Sequence, residues 1–479
     1  MSPLFLGRIV APVVLFFAAA SLAAAETPSE SKPAKHPNVL FIVLDDLNHW
    51  VGHLHRNNQT ITPNIDRLAA RGMTFTHGYC AAPVCNPSRA AVMSGMRPGT
   101  TGIYDNGPDW RKAIGPERTL VTAFRNAGYY TAGAGKIYHG KMNRPTEWDD
   151  FQPHLGPDQH PAQPDGVGDI VFAPIDCEDS AMNDFKVVDY GIEQLNKPHD
   201  KPLLLTIGIH KPHLPWYVPR KYFDMHPLEK IELPPVTKND LDDVPPIGRQ
   251  FAKSDRDHRQ ILESGRWKEA VQGYLATVSF ADAMVGRLLD GLEKSGQADN
   301  TIVVLWGDHG WHFGEKEHWR KSALWEETTR APFIWVVPGL TKPDTRCTTP
   351  VDFMSIYPTL TDLCDIPTPK HVEGKSLRPL LTDPAAPWPQ GGITTYLQSN
   401  HSVRFGDWRY TRYADGGEEL YDHAQDPYEW TNLAEKSEHA DKKAELAKLL
   451  PTVNHPRADG KAERDAFRTK RAAKKAAGK

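Results

Sequence analysis

The run Cys85-Asn86-Pro87-Ser88-Arg89 concentrates more chemistry than any other stretch of this chain. Pro87 suits the first turn of a helix, where a missing N–H costs nothing. Ser88 to Ser94 is small and helix-compatible, and Gly95 is a fitting stop. The spacing predicts a helix over 88–94 with Cys85 just before its N-terminus. Free N–H groups and the helix dipole favour an anion there. Arg89 lies one turn on and can point back at that anion, with a planar fork suited to tetrahedral oxyanions. A thiol, a helix N-terminus and a guanidinium together make an anion site with a nucleophile in it. A cysteine-phosphatase loop needs a longer separation of Cys and Arg than the three residues found here.

Four apolar runs can deliver partners to that nucleophile. Asn38–Leu44, Tyr129–Ala134, Leu203–Ile209 and Thr301–Trp306 are short and continuously apolar, the pattern of parallel strands buried on both faces. In open α/β sheets, ligands bind beyond the carboxyl ends of the strands. The first run ends in Asp45-Asp46 and the fourth in Asp308-His309-Gly310-Trp311, so carboxylates suited to a hard cation sit at two strand ends. The second ends in Gly135-Lys136-Ile137-Tyr138-His139. There Lys136 can hold an oxyanion, and His139 can act as a general base near neutral pH. The third ends in His210-Lys211-Pro212-His213-Leu214-Pro215-Trp216, which reads as a rigid, polar, substrate-facing loop. Lys211 suits a carboxylate, and the indole of Trp311 suits the apolar face of a sugar ring. Each position alone has an ordinary reading as an Asx turn, a solvated loop residue or packing. Their coincidence at four strand ends is what argues for a site.

The rest of the chain reads as scaffold. Val271–Leu292 keeps an i, i+3, i+4, i+7 apolar stripe and is the clearest helix. Further helices are expected after Thr62 as cap with Pro63 at the first position, and over 119–127, 184–195 and 356–363. Residues 150–180 read as a long ordered insertion, and 332–337 as a fifth apolar strand. Beyond about residue 385, short strand candidates alternate with turns, the pattern of a small antiparallel subdomain.

Composition sets the class. The 479 residues suffice for one large domain plus a smaller one. A net charge of −4 gives no basic field for nucleic acid. Five scattered cysteines make neither a disulfide framework nor a paired zinc motif, though Cys347 and Cys364 could pair in an oxidising compartment. Arg8, the apolar run Ile9–Ala20 and Ala23-Ala24-Ala25 read as a signal peptide, because the run is too short to span a bilayer. The expected divisions are a signal peptide over 1–25, a catalytic domain over 36–385, a C-terminal subdomain over 386–455 and a basic tail over 456–479. The mature protein is expected to be secreted or periplasmic, with no membrane contact after signal cleavage.

Cys85-Asn86-Pro87-Ser88-Arg89 resembles the Cys-x-Pro-Ser-Arg signature of the type I, formylglycine-dependent sulfatases, and the likeness covers nearly all of residues 38–430. Within that family the strand-end motifs are most similar to the iduronate-2-sulfatase branch. The resemblance implies an alkaline-phosphatase-like α/β sandwich. Its large mixed, mostly parallel sheet would be flanked by helices, with a small C-terminal antiparallel α+β subdomain. It implies that a maturation enzyme oxidises Cys85 to formylglycine, whose hydrate is the nucleophile. It implies a calcium site from Asp45, Asp46, Asp308, His309 and the converted Cys85. His309 is the unusual member, since calcium prefers oxygen ligands. Lys321, thirteen residues past Asp308, falls where the family places a sulfate-binding Lys. With Arg89 beside the nucleophile, His213 would protonate the leaving sugar oxygen and His139 would take a proton as sulfate departs. The implied substrate is a sulfated carbohydrate, most specifically the 2-O-sulfate of a uronic acid in a glycosaminoglycan. Another sulfated sugar, choline sulfate, or phosphate-ester cleavage on the same fold are the alternatives.

Overall fold

The computed structural model describes Met1 and residues 36–459; the expected signal peptide and most of the basic tail lie outside the described residues. Among the described residues, no helix is long and apolar enough to cross a membrane. Eight strands form the main sheet. They are β1 (Asn38–Asp45), β2 (Met73–Phe75), β3 (Tyr130–Gly135), β4 (Asp150–Phe151), β5 (Leu203–Pro212), β6 (Thr301–Gly307), β7 (Phe333–Val336) and β8 (Thr345–Cys347). Their order across the sheet is β8-β2-β7-β6-β1-β5-β3-β4. The central strands β6, β1, β5 and β3 run parallel, and β7 pairs antiparallel to both β6 and β2. The sheet is therefore mixed and mostly parallel.

Alternation along each central strand builds two cores. In β1, Leu40, Ile42 and Leu44 face one layer, while Val39, Phe41 and Val43 face the other. The first layer is covered by α3 (Asn183–Asn196) and α4 (Trp267–Lys294), whose Val271, Leu275, Val278, Val285 and Leu289 are all fully buried. The second is covered by α2 (Cys85–Ser94) and α5 (Ile356–Leu363) through Val92, Met93, Ile356 and Leu360. Each such side chain contributes roughly 1.5–3 kcal/mol by leaving water. These layers hold the strands so that their carboxyl ends converge.

Four strands, β9 (Gly392–Thr395), β10 (His401–Phe405), β11 (Trp408–Arg412) and β12 (Glu418–Asp422), form an antiparallel sheet in sequence order with a small core of its own. Buried Arg409 ties this sheet to the main layer. Its Nη1 donates to Leu324 O at 3.2 Å, and its Nε pairs with Glu429 at 2.5 Å.

Several expectations change. Helix α2 begins at Cys85 instead of after it, with Val84 as the extended N-cap and Gly95 at φ +70° as the stop. Thr62 precedes α1 (Pro63–Ala70), but its hydroxyl makes no cap bond; it accepts from Gly52 N at 2.8 Å. The 150–180 insertion contains β4 and a strand over Ile170–Ile175. Cys347 and Cys364 are both free and buried, and Cys347 Sγ lies 3.6 Å from Pro384 O. Each thiol is packed into the core, which removes any need for a bridge.

Candidate active site

The carboxyl ends of β1, β3, β5 and β6 meet the first turn of α2. Cys85 is fully buried there, with Sγ 3.0 Å from Lys321 Nζ, 3.4 Å from His309 Nε2 and 3.9 Å from Lys136 Nζ. Asp46 Oδ1 is 4.0 Å away. Asp46 holds φ +63°, a left-handed conformation that bends the chain after β1 and brings two adjacent carboxylates to one place. Tyr274 of α4 fixes this bend by donating to Asp46 O at 3.0 Å. Lys136 arrives because β3 and β5 close tightly beyond their last pair: a Cβ on Gly208 would lie 2.2 Å from the Lys136 carbonyl carbon.

The carboxylates are matched by cations. Lys136 Nζ donates to Asp45 Oδ2, and Lys321 Nζ donates to Asp46 Oδ1 at 2.6 Å. Arg89 Nε donates to Asp308 Oδ2 at 2.8 Å. Burial opposes ionisation of Asp45, but Lys136, His213 and Arg89 hold its carboxyl well below the usual range. Burial also opposes a charged Lys321, yet Asp46, Cys85 and Asp45 raise its pKa. The Cys85 thiol is pushed up to about 12 by burial and by Asp45, so it is no ready thiolate.

Asp45, Asp46, Cys85 and His309 each offer a ligand atom, all within 4.8 Å of one another. Asp45 Oδ1 and Asp46 Oδ2 are buried carboxylate oxygens with no hydrogen-bond donor. Arg89 Nη2 lies 3.4 Å from Asp45 Oδ1, and His213 Nε2 lies 3.8 Å from Asp46 Oδ2. Two bare carboxylate oxygens out of water fit a hard cation. Asp308 lies beside this cluster with both oxygens engaged, Oδ1 by Asp46 N at 3.0 Å and Oδ2 by Arg89.

His213 Nδ1 sits 2.5 Å from Leu214 O, which assigns the proton to that nitrogen and turns Nε2 toward Asp46. Burial and Lys136 lower its pKa well below 6.5. Burial, with Lys136, pushes His139 down to about 4, which leaves it neutral at neutral pH. Lys136, His139 and His213 line one wall of a cavity of about 410 Å³.

Two expected roles change, and Arg89 divides its donors. Arg89 is fully buried: Nε donates to Asp308 Oδ2 and Nη1 to the Lys136 and Ile137 carbonyls, while Nη2 has no hydrogen-bond partner and lies 3.4 Å from Asp45 Oδ1 in the cluster around Cys85. Trp311 is 1% exposed and packs edge-on against Trp216 at 5.8 Å, so it serves the core and offers no sugar platform. Lys211 borders the cavity but is 2% exposed, donates to Pro215 O and faces Asp158 and Asp184.

Sequence reading missed four contributors. His210 Nδ1 stands 3.7 Å from Asp45, Ser88 Oγ donates to Asp308 O at 2.6 Å, and Tyr274 pins the Asp46 bend. Asp184 accepts from His210 N at 2.8 Å and Lys211 N at 2.9 Å, fixing the end of β5. His210 and Ser88 lay inside motifs the sequence singles out but were given no role of their own, Asp184 stood as an acid at the start of a helix, and Tyr274 carried no signal.

Residues 37–366 match the sulfatase family model, and residues 314–455 match the model of the N-sulphoglucosamine sulphohydrolase C-terminal region. A sulfatase of Formosa agariphila is 38% identical over 456 residues, 90% of this chain and 89% of that protein. Human iduronate 2-sulfatase is 28% identical over 430 residues, 75% of this chain and 78% of its own length. The fold also matches a phosphonate monoester hydrolase from Silicibacter pomeroyi with TM-score 0.72 at 21% identity, covering 86% of this chain and 94% of that one. A buried thiol set among matched carboxylates and cations, on an alkaline-phosphatase-like sheet, thus coincides with a family match over most of the chain: the protein belongs to the sulfatase family and is a sulfuric ester hydrolase.

Proposed function

We propose that the chain removes a sulfate ester from a sugar, most specifically the 2-O-sulfate of a uronic acid, with Cys85 as its formylglycine precursor. The observation that carries the reading is the setting of Cys85. It is the first residue of α2, 3.0 Å from a buried ammonium and close to two carboxylate oxygens that lack donors. A thiolate there would stand among carboxylates, and its pKa is already pushed up to about 12 by burial. Conversion to formylglycine would supply a hydrated aldehyde, a neutral oxygen nucleophile that needs no thiolate. Asp45, Asp46 and Asp308, with His309, would hold calcium, which would neutralise charge on the sulfuryl oxygens.

The chain's own residues do the rest. Lys136 and Lys321 place two ammonium groups against the sulfuryl oxygens, where charge grows in the transition state. Arg89 keeps the ends of β3 and β6 in register with α2 through its bonds to Lys136 O and Asp308. His213, oriented by Leu214 O, would protonate the leaving sugar oxygen from Nε2 as imidazolium, the form in which both ring nitrogens carry a proton. His139, neutral near pH 7, takes the proton released when sulfate is expelled. Similarity to human iduronate 2-sulfatase supports the uronate assignment, as does the imidazole-lined cavity.

Two measurements test it. The peptide carrying Cys85 from active enzyme should be about 18 Da lighter than the thiol form, the replacement of sulfhydryl chemistry by an aldehyde. Turnover by protein whose Cys85 is wholly unmodified thiol would refute the nucleophile. In a panel of 2-O-sulfated uronate disaccharides, 6-O-sulfated glucosamine and choline sulfate, the uronate ester should be cleaved fastest. A faster neutral or choline ester would overturn the uronate assignment and leave the sulfatase one standing.

A further inference from the structure

Of the residues proposed to act on sulfate, Lys136, His139 and His213 line the cavity. The segment 152–160 lines it too; it leaves β4, the edge strand beside the β3 that leads into Lys136. That segment is short of secondary structure but tied down. Asp158 Oδ1 accepts from Asn183 N at 3.1 Å, the first residue of α3, and from Gln159 N at 2.8 Å. Asn183 Nδ2 returns a bond to Gly156 O at 3.3 Å. Gln152 Nε2 reaches Lys186 O at 3.2 Å, and His160 packs edge-on against Tyr217 at 5.7 Å. The same first turn of α3 carries Asp184, which holds the backbone of His210 and Lys211. One helix end therefore holds both the loop that bears His213 and the segment 152–160.

We infer that the segment 152–160 is a specificity strap, pinned by Asp158 to the start of α3, that confines the site to a sulfated sugar at the end of a chain. The cavity, about 410 Å³, lies near the small end of the roughly 300–1,000 Å³ range of ligand pockets. Lining residues come from the ends of β3 and β5, from the strap and from α3, so a bound sugar would meet all four. A residue inside a polymer must leave the cavity in two directions, and the strap stands across one of them. A terminal residue needs a single opening. Asp158 touches neither Cys85 nor the carboxylates around it; it is a positioning residue that acts through the strap.

This inference rests on the sulfatase reading but not on the uronate assignment. The test compares sulfate release per ester from a 2-O-sulfated uronate disaccharide and from the intact polysaccharide that yields it. The natural enzyme should be at least about 100-fold slower per ester on the polymer. Asp158→Ala should narrow that ratio to under about tenfold and raise KM for the disaccharide, while kcat stays within about threefold. Asn183→Ala, which removes only the bond to Gly156, should move the ratio in the same direction if Asp158→Ala folds poorly. Comparable rates on polymer and disaccharide with the natural enzyme would overturn the strap. So would a ratio unchanged in both folded variants. If no uronate ester is cleaved, the same comparison is run with the preferred sulfated sugar and its polymer. The failure of the uronate assignment is thereby separated from that of the strap.

Discussion

Lys321→Met isolates the electrostatic part of the proposed catalysis. The substitution nearly keeps the side-chain volume and removes one charge. Lys321 Nζ lies 3.0 Å from Cys85 Sγ, so a transferring sulfuryl group at that atom would sit within hydrogen-bond reach of it. At about 3 Å and an effective dielectric near 20, a full charge pair is worth roughly 5–6 kcal/mol. If about half a charge develops between ground and transition states, the differential stabilisation is about 3 kcal/mol, or ~100-fold in rate. That agrees with the roughly 10²–10³-fold loss on removing one oxyanion-hole donor. The assay is steady-state sulfate release with kcat and KM resolved, beside Tm and metal content. We expect kcat to fall about 100-fold with a smaller change in KM. Lys321 also neutralises Asp46 at 2.6 Å, so its loss should leave cation binding intact or tighter. Rescue by added metal would assign the effect to the cation site. A kcat within about threefold of the natural enzyme, in folded protein, would falsify the charge argument.

Asp308→Asn breaks the bond with Arg89 and places an amide against Asp46 N or Arg89. It should lower calcium content and turnover, and cost roughly 3–5 kcal/mol by leaving Arg89 unpaired. Elemental analysis and a denaturant titration check it; unchanged metal content in folded variant protein would contradict the cation site. Trp311→Phe should leave KM unchanged and cost about 1–2 kcal/mol of packing, because Trp311 is 1% exposed against Trp216; a severalfold rise in KM would restore a sugar-binding role. Asp184 is raised by burial from 3.8 to about 6 despite its two backbone donors. A raised carboxyl favours the folded state below its unfolded pKa, and that contribution is lost as pH rises through about 6. Asp184→Asn should therefore gain relative to the natural protein between about pH 4 and pH 7, by about 2–3 kcal/mol. Measured as the difference in unfolding free energy at the two pH values, the opposite sign would refute the buried-charge reading.

The strand-end residues were legible because two rules act on them together. A strand covered on both faces must be continuously apolar, so its end is marked by the first charged residue. Parallel strands in one sheet share an end, so those marks converge. Asp45, Lys136, His213 and Asp308 were found this way, each beyond an apolar run. What such reading misses is the direction of a side chain and the identity of its partner. Trp311 follows Asp308 closely yet turns into the core beside Trp216, because the turn that aims His309 at Cys85 faces the indole inward. Lys211 lies in a promising loop yet is held by Pro215 O and faced by carboxylates 27 and 53 residues away in sequence, Asp184 and Asp158. Tyr274 was read as one more residue of an apolar stripe. Its hydroxyl is invisible to periodicity, and only packing puts it on Asp46 O.

Arg89 shows why the sulfatase site and the fold stand or fall together. Asp45, Asp46 and Asp308 are opposed by Arg89, Lys136 and Lys321, so the fixed charges nearly cancel within a volume shut off from water. Apart from the adjacent Asp45 and Asp46, each member comes from a different strand end, helix or loop, and none is a sequence neighbour of its partner. The set therefore exists only once the sheet has formed, and removing one member strands a buried charge at a cost of roughly 3–5 kcal/mol. Arg89 touches three of these elements at once, α2 by its own backbone, β6 through Asp308 and β3 through Lys136 O. Its place one turn into α2 lets the helix that carries Cys85 also carry the group that spaces the strand ends. A dication at the bare oxygens of Asp45 and Asp46 would tip this balanced set positive, the sign an incoming sulfate ester requires. The cations are thus positioned first for the carboxylates. On the proposed reading, their surplus for sulfate would arise with the added metal charge.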